Sequence, residues 1–440
     1  MKILLVCHGY PPHGVAGVER VSAQTAERLT ARGHELTVLT RRPSELPATL
    51  TLERDRRNGI PVVSIAGGGS TFGRFPGHEA ALEQVFERVL LELDPDLVLA
   101  THLLHHSPGY VDVAHRWGIP VVLELHDFFA LCPRAHLQRV SGELCGGPEG
   151  GRACAVHCFA DQRDAGARWS LRAHGFAHAV HAADAVLCPS RYVADLLAPL
   201  RGDAAPIVVL GNGVGPFGPV LRDPVRDASE PLRLASIGVT VEHKGFHVVV
   251  EALRRARLPA ARYTVFGLTA EPGASALRRA AKRVPGLELR LFGGFEPELL
   301  PVLLADVDAV VIPSLVPETY SIVAREALAC GVPILASRIG ALPDAVREGE
   351  NGRLFEPGDA SGLALLMQDL AADRAALRRL AAGIRDDDVL PVETRVDALE
   401  ALLGDVEARS PRDASEPAGD LALVREALAS RPARLRHADC

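Results

Sequence analysis

Apolar stretches of strand length alternate with stretches of helical period along most of the chain. Lys2–Cys7 reads as a buried strand. After a glycine-containing loop, Val21, Thr25, Ala26 and Leu29 recur at the spacing of one helix face over residues 18–31. Gly33 supplies a C-terminal stop, and residues 35–40 (ELTVLT) form the next strand. Residues 62–65, 97–101, 120–125, 185–189 and 207–210 continue the series. A Gly/Pro-rich stretch at 211–219 and a charged run at 222–230 interrupt it. The pattern then restarts with Leu232–Ile237 and with strands at 263–266, 287–292, 309–313 and 333–336, helices lying between them. Such alternation predicts parallel sheets, here in two successive α/β domains.

The predicted domains are 1–215 and 216–390, followed by a helix at 391–408, where Val396, Leu399, Leu402 and Leu403 keep a helical spacing and pack on one of the domains. Residues 409–440 read as a linker-like tail, with a short helix at 421–429. Two doubly wound domains facing a central cleft are expected, with ligand bound off the carboxyl ends of the strands.

Composition narrows the class. At 440 residues, with 48% hydrophobic and 23% charged, the chain is globular rather than disordered or fibrous. No apolar run approaches the ~18 residues of a membrane span. His8 and Gly9 arrive too soon for a signal peptide, so a soluble cytoplasmic protein is expected. The net charge of -7, without a basic half or stripe, argues against a nucleic-acid partner. Lysine is rare beside arginine: only Lys2, Lys244 and Lys282 occur, so each is a candidate for a site that needs a compact point charge.

The most informative stretch is 309–340, AVVIPSLVPETYSIVAREALACGVPILASRIG. A strand ends at Pro313-Ser314, a loop carries Glu318, a helix is expected from about Tyr320 to Ala329, and Gly331 stops it. On a helix at ~1.5 Å per residue, Glu318 and Glu326 would stand roughly 12 Å apart, about the span from sugar to ribose in a nucleotide-diphosphate sugar. The free N–H groups around Thr319, Tyr320, Ser321 and Ile322 would cradle the diphosphate between them. The alternative is that Glu318 caps the helix and Glu326 is solvated.

This segment resembles the Glu-x7-Glu motif of retaining glycosyltransferases of family 4, which have the GT-B fold. The resemblance continues in Gly17-Val18-Glu19 with Gly33-His34-Glu35-Leu36-Thr37-Val38, in Pro189-Ser190-Arg191-Tyr192-Val193, and in Asn212-Gly213-Val214. Lys244-Gly245, Gly340-Ala341-Leu342-Pro343-Asp344 and residues 349–355 extend it, so it spans about residues 1–400. It implies an acceptor-side first domain and a donor-side second domain. By this resemblance Glu318 contacts donor-sugar hydroxyls, Glu326 holds the ribose, and Lys244 contacts the leaving diphosphate. Gly17 lets the backbone approach phosphate, and His126, after the strand at 120–125, donates a hydrogen bond near the reacting sugar. His126, Glu318 and Lys244 are therefore the expected catalytic group.

Two departures stand out. The family often has an Arg five or six residues before the lysine, whereas residues 238–244 read GVTVEHK. It usually has two glycines at the amino-terminal loop, and this chain has Ala16-Gly17.

The resemblance implies transfer with retention of configuration, with the departing diphosphate assisting deprotonation of the acceptor. No cofactor or metal is expected for catalysis, and the nucleotide-diphosphate sugar, of UDP or GDP type, is the co-substrate. The Asp94-Pro95-Asp96 sequence reads as loop rather than metal site. The acceptor would be a sugar, a lipid-linked molecule or a small molecule bearing a hydroxyl. Surface polysaccharide assembly and glycosylation of a natural product both fit, and peripheral membrane contact is compatible with a lipid-linked acceptor.

Cys132, Cys145, Cys154 and Cys158 crowd into an insertion at about 131–160 that is rich in glycine and short of apolar residues. Four thiolates there suit a structural zinc ion. The spacing is not that of a zinc finger, and reduced thiols, an iron–sulfur cluster and disulfides are the alternatives.

Other classes predict different residues. A Rossmann dehydrogenase needs Gly-x-Gly-x-x-Gly after the first strand, where this chain has Cys7-His8-Gly9-Tyr10-Pro11-Pro12. A GT-B-like sugar-nucleotide epimerase or a non-catalytic relative is the remaining alternative.

Overall fold

The computed structural model describes residues 1–14, 17–42, 49–68, 79–215, 217 and 230–409. The chain divides into two compact units, Met1–Leu210 together with the chain from Val396, and Gly211–Arg395. The charged run at 222–229 and the tail from 410, with its expected helix, lie outside the described residues.

In the first unit the strands are β1 (Lys2–Cys7), β2 (Glu35–Arg42), β3 (Thr51–Arg57), β4 (Ile60–Ala66), β5 (Leu97–Ala100), β6 (Val121–Glu124), β7 (Ala185–Cys188) and β8 (Val208–Val209). The helices are α1 (Gly17–Ala31), α2 (Ala80–Leu93), α3 (Tyr110–Arg116), α4 (Arg152–His157), α5 (Ala165–Ala182) and α6 (Arg191–Arg201). The sheet runs β3-β4-β2-β1-β5-β6-β7-β8. β5, β6 and β7 are buried along their whole length, as parallel strands covered on both faces must be.

The expectation of wholly parallel sheets needs one correction. β3 pairs antiparallel with β4. Its sequence, TLERDRR, carries no apolar alternation because it is an exposed edge strand whose charges discourage further pairing. The signal that was available is the turn: Asn58 and Gly59, both at positive φ (50° and 82°), form a two-residue hairpin loop.

The second unit contains β9 (Leu232–Ile237), α7 (Phe246–Ala256), β10 (Ala261–Phe266), α8 (Gly273–Ala281), β11 (Leu287–Gly293), α9 (Leu300–Leu304), β12 (Ala309–Ile312), α10 (Ile322–Ala329), β13 (Ile334–Ser337), β14 (Gly352–Phe355), α11 (Ala360–Ala372) and α12 (Arg374–Ala382). Its sheet is all parallel in the order β11-β10-β9-β12-β13-β14. One core lies under α7 and α11 and a second under α10.

The last helix, α13 (Val392–Arg409), returns the chain to the first unit. There Arg32 pairs with Glu400 (2.8 Å) and Asp397 (2.7 Å), and His34 meets Glu400 at 2.7 Å.

Both sheets reverse strand order once, between β1 and β5 and between β9 and β12. The loops leaving these strands splay to opposite sides and open a crevice at their carboxyl ends, the general ligand position in open α/β sheets.

Candidate active site

In the second unit the crevice is bounded by the loops after β9 and β12. The first turns through Glu242–Lys244 in a single 3₁₀ turn, and the second carries Ser314 and Glu318. The N–H of Leu315 donates to the His243 carbonyl at 2.9 Å, which zips the loops together. Their approach demands glycine at 245. Its φ is +71°, and a Cβ there would sit 1.8 Å from the Pro313 carbonyl oxygen. Gly340 is equally constrained: a Cβ would lie 2.5 Å from the Glu318 backbone, and Ala341 N–H donates to Glu318 O at 2.8 Å.

This scaffold brings Lys244 and Glu318 together. Lys244 Nζ lies 2.8 Å from Glu318 Oε1, and the Ser314 hydroxyl donates to the same oxygen at 2.6 Å. Burial raises the Glu318 pKa, but the Lys244 charge and hydrogen bond, the Ser314 hydroxyl and His243 outweigh it. The carboxyl is held below its ordinary value.

The helix expected from Tyr320 begins at Ile322. Ser321 has φ 59° and ψ 80°, a left-handed conformation incompatible with the helix interior, and its side chain caps the helix by accepting from Ala324 N–H. Glu318 therefore stands on a loop, bridged to Gly340, and the rise per residue of a helix does not set its distance from Glu326. Neither bland alternative holds, since Ser321 is the cap and Glu326 is buried within α10. Thr319 is half-buried and Tyr320 buried. Side chains on a helix lean toward its N-terminus, and Arg325 accordingly reaches back to place its guanidinium 4.9 Å over the Tyr320 ring.

In the first unit the loops after β1, β5 and β6 converge. Gly17 is the exposed first residue of α1. His126 follows β6 and is buried, its Nε2 3.5 Å from Glu124 Oε2. Around them stand two imidazole–carboxylate pairs that sequence reasoning missed. His8 Nε2 lies 3.1 Å from Glu19 Oε1, and His102 Nε2 lies 2.8 Å from Asp127 Oδ2. The Leu104 N–H donates to His102 Nδ1 at 2.9 Å, which turns Nε2 toward Asp127. The His8 and His102 rings are 4.3 Å apart. Burial raises the pKa values of Glu19 and Asp127, yet the histidines outweigh it and both are lowered. The only signal in the sequence was a histidine directly after each of two strands.

Asp96 of the Asp-x-Asp stretch accepts the Lys2 backbone N–H at 2.7 Å, and Asp94 closes α2. None of the four clustered cysteines forms a disulfide. No helix among the described residues is long and apolar enough to cross a membrane.

Comparison with known proteins agrees with this fold. The model of Glycosyltransferase Family 4 matches residues 15–216, and that of Glycosyl transferases group 1 matches residues 220–387. The chain belongs to the GT-B glycosyltransferases of the family 4 type, and it is a glycosyltransferase. A glycogen synthase of Mycobacterium tuberculosis is 28% identical over 450 residues, covering 98% of this chain and 100% of its own. A D-inositol 3-phosphate glycosyltransferase of Mycolicibacterium vanbaalenii is 29% identical over 316 residues, 63% of each chain. Among solved structures, Anabaena HepE in complex with UDP superposes with a TM-score of 0.67 at 18% identity, covering 92% of this chain and 100% of its own.

Proposed function

We propose that the protein is a metal-independent, retaining hexosyltransferase. It moves a sugar from a nucleotide-diphosphate donor of UDP or GDP type to the hydroxyl of a sugar, lipid-linked or small-molecule acceptor, in surface polysaccharide or glycosylated natural-product synthesis. The observation that carries this reading is the Lys244–Glu318 contact at 2.8 Å beside a capped helix start. A lysine, a carboxylate and a helix N-terminus at one crevice are the groups needed for a diphosphate and the sugar attached to it. The UDP complex of HepE supports the choice of a nucleotide ligand.

In this reading Lys244 and the N–H groups of Thr319, Tyr320, Ser321 and Ile322 stabilise the charge that develops on the leaving diphosphate. Such preorganised electrostatics is the largest single contribution in many enzymes. Glu318 accepts hydrogen bonds from donor-sugar hydroxyls, and Glu326 from the ribose. On the first unit, His126 donates to a sugar hydroxyl and Gly17 lets the backbone approach phosphate. The transition state is oxocarbenium-like, and the departing diphosphate assists removal of the acceptor proton.

The test is calorimetric titration with UDP, GDP, ADP and dTDP, each with EDTA and with Mg²⁺. One nucleotide is expected to bind in EDTA, and Glu326→Ala is expected to weaken it about 10- to 100-fold, the worth of charge-assisted hydrogen bonds. Binding that requires Mg²⁺, or that is indifferent to Glu326, would overturn the assignment.

A further inference from the structure

The insertion between β6 and α5 is anchored in the first unit's core only at its start, through Leu131, Cys132 and Leu137. Beyond residue 137 its apolar packing is a small cluster of Cys154 and Ala155 against Trp169 of α5, with Phe159 and Ala165 beside them. Apart from the short α4 its backbone is largely irregular, and three non-glycine residues, Ala135, Leu137 and Glu149, take positive φ of 61°, 51° and 49°. Each such residue carries conformational strain that the surroundings must over-determine. Small segments without a core obtain that from disulfides or from a metal.

Cys132, Cys145, Cys154 and Cys158 line one cavity of about 10 Å³, with Arg134, Leu137, Gln138 and Pro148 among its other walls. They come from three places in the chain. Cys132 closes a turn after the β6 loop, Cys145 follows the Gln138–Leu144 bridge, and Cys154 and Cys158 lie one helical turn apart on α4 and its C-cap. We propose that these four thiols bind a single structural Zn²⁺ in that cavity.

Size and charge select the occupant. About 10–15 Å³ is the room one water-sized sphere needs, so a single ion fits and an iron–sulfur cluster does not. Thiolates select soft or borderline metals, which excludes Mg²⁺ and Ca²⁺, and Zn²⁺ with four sulfurs requires no redox partner. Beside the cavity, Arg172 is buried at 4% exposure. Among the described residues its guanidinium forms no carboxylate ion pair; it lies 4.4 Å over the Phe176 ring, with the Cys154 and Cys132 side chains among its neighbours. A buried cation needs nearby negative charge, and a zinc ion bound by four thiolates carries a net negative one.

Among the described residues no group of three metal-ligating side chains already stands at coordination geometry. Metal binding therefore requires the four sulfurs to move inward, to about 2.3 Å from the ion. Arg172 also donates to the Phe129 carbonyl and stacks on the Phe129 ring at 4.7 Å, and that ring lies 5.4 Å from His102. The metal loop is thus connected to the His102–Asp127 pair.

The full chain, purified without added metal or chelator, should carry one zinc per molecule by elemental mass spectrometry. Cys145→Ser and Cys154→Ser should each lower the stoichiometry several-fold, with Cys440→Ser as the control that keeps it. Because a cysteine variant can lose its fold, wild-type protein exchanged into Co²⁺ provides a second readout, the intense thiolate-to-cobalt charge-transfer absorbance of a sulfur-rich tetrahedral site. Metal-free protein with four thiols titrating in the native state, a disulfide found by mass, or sulfide-bound iron would each overturn the proposal.

Discussion

Lys244 and Glu318 hold each other at 2.8 Å, so in the proposed function a diphosphate would compete with Glu318 for the same ammonium group. Lys244→Ala should lower kcat/KM by about 10²–10³, the usual loss for one preorganised charge-stabilising donor, measured as sugar transfer from the nucleotide-diphosphate sugar whose base the titration selects. The pair also predicts a pH dependence. Glu318 has its pKa lowered from 4.5, so its stabilising contribution is complete above that value and is lost as pH falls through the depressed folded-state value. In urea unfolding carried from neutral pH to below 4.5, Glu318→Gln should lose less stability than the wild type. Equal losses would mean the ion pair contributes nothing to folding.

At the scale of elements, the crevice depends on how closely two loops approach. Gly245→Ala adds a Cβ 1.8 Å from a carbonyl oxygen and also strains φ, whereas Gly331, at φ +70°, faces open space. Gly331→Ala should therefore cost about 1–2 kcal/mol, the strain of a left-handed residue alone. Gly245→Ala should cost clearly more, because the β12 loop must move. Comparing denaturant midpoints checks this, and equal costs would show that the loop approach yields freely. Element type was legible where burial is continuous: β1 and β9 fall on Lys2–Cys7 and Leu232–Ile237 as periodicity predicts. β3 was illegible because an edge strand exposed on both faces has no apolar pattern to read. The start of α10 was misplaced because a serine in the left-handed region looks like any helical polar residue in sequence.

For the whole molecule, the division into two units, each with its own sheet and core, predicts more than one cooperative unfolding transition in scanning calorimetry. The nucleotide selected by titration should raise chiefly the transition of the second unit, by about 2.7 kcal/mol at a hundredfold excess over Kd. A single transition, or an equal shift of both, would show that the units unfold as one.

The sequence by itself determined the alternation of strand and helix, the restart near residue 230 and the chemical types at Lys244, Glu318 and Glu326. Those features are local, written in periodicity, glycine positions and motif spacing. Only the tertiary structure decided which charges meet. Lys244 and Glu318 lie 74 residues apart and are joined by the reversal of strand order between β9 and β12. The His8–Glu19 and His102–Asp127 pairs stand beside each other because the loops after β1, β5 and β6 leave adjacent strands of one sheet. Four cysteines from three stretches likewise surround one cavity through the path of the backbone. Contacts between residues distant in sequence depend on sheet order and loop closure, and neither is encoded in the spacing of any single segment.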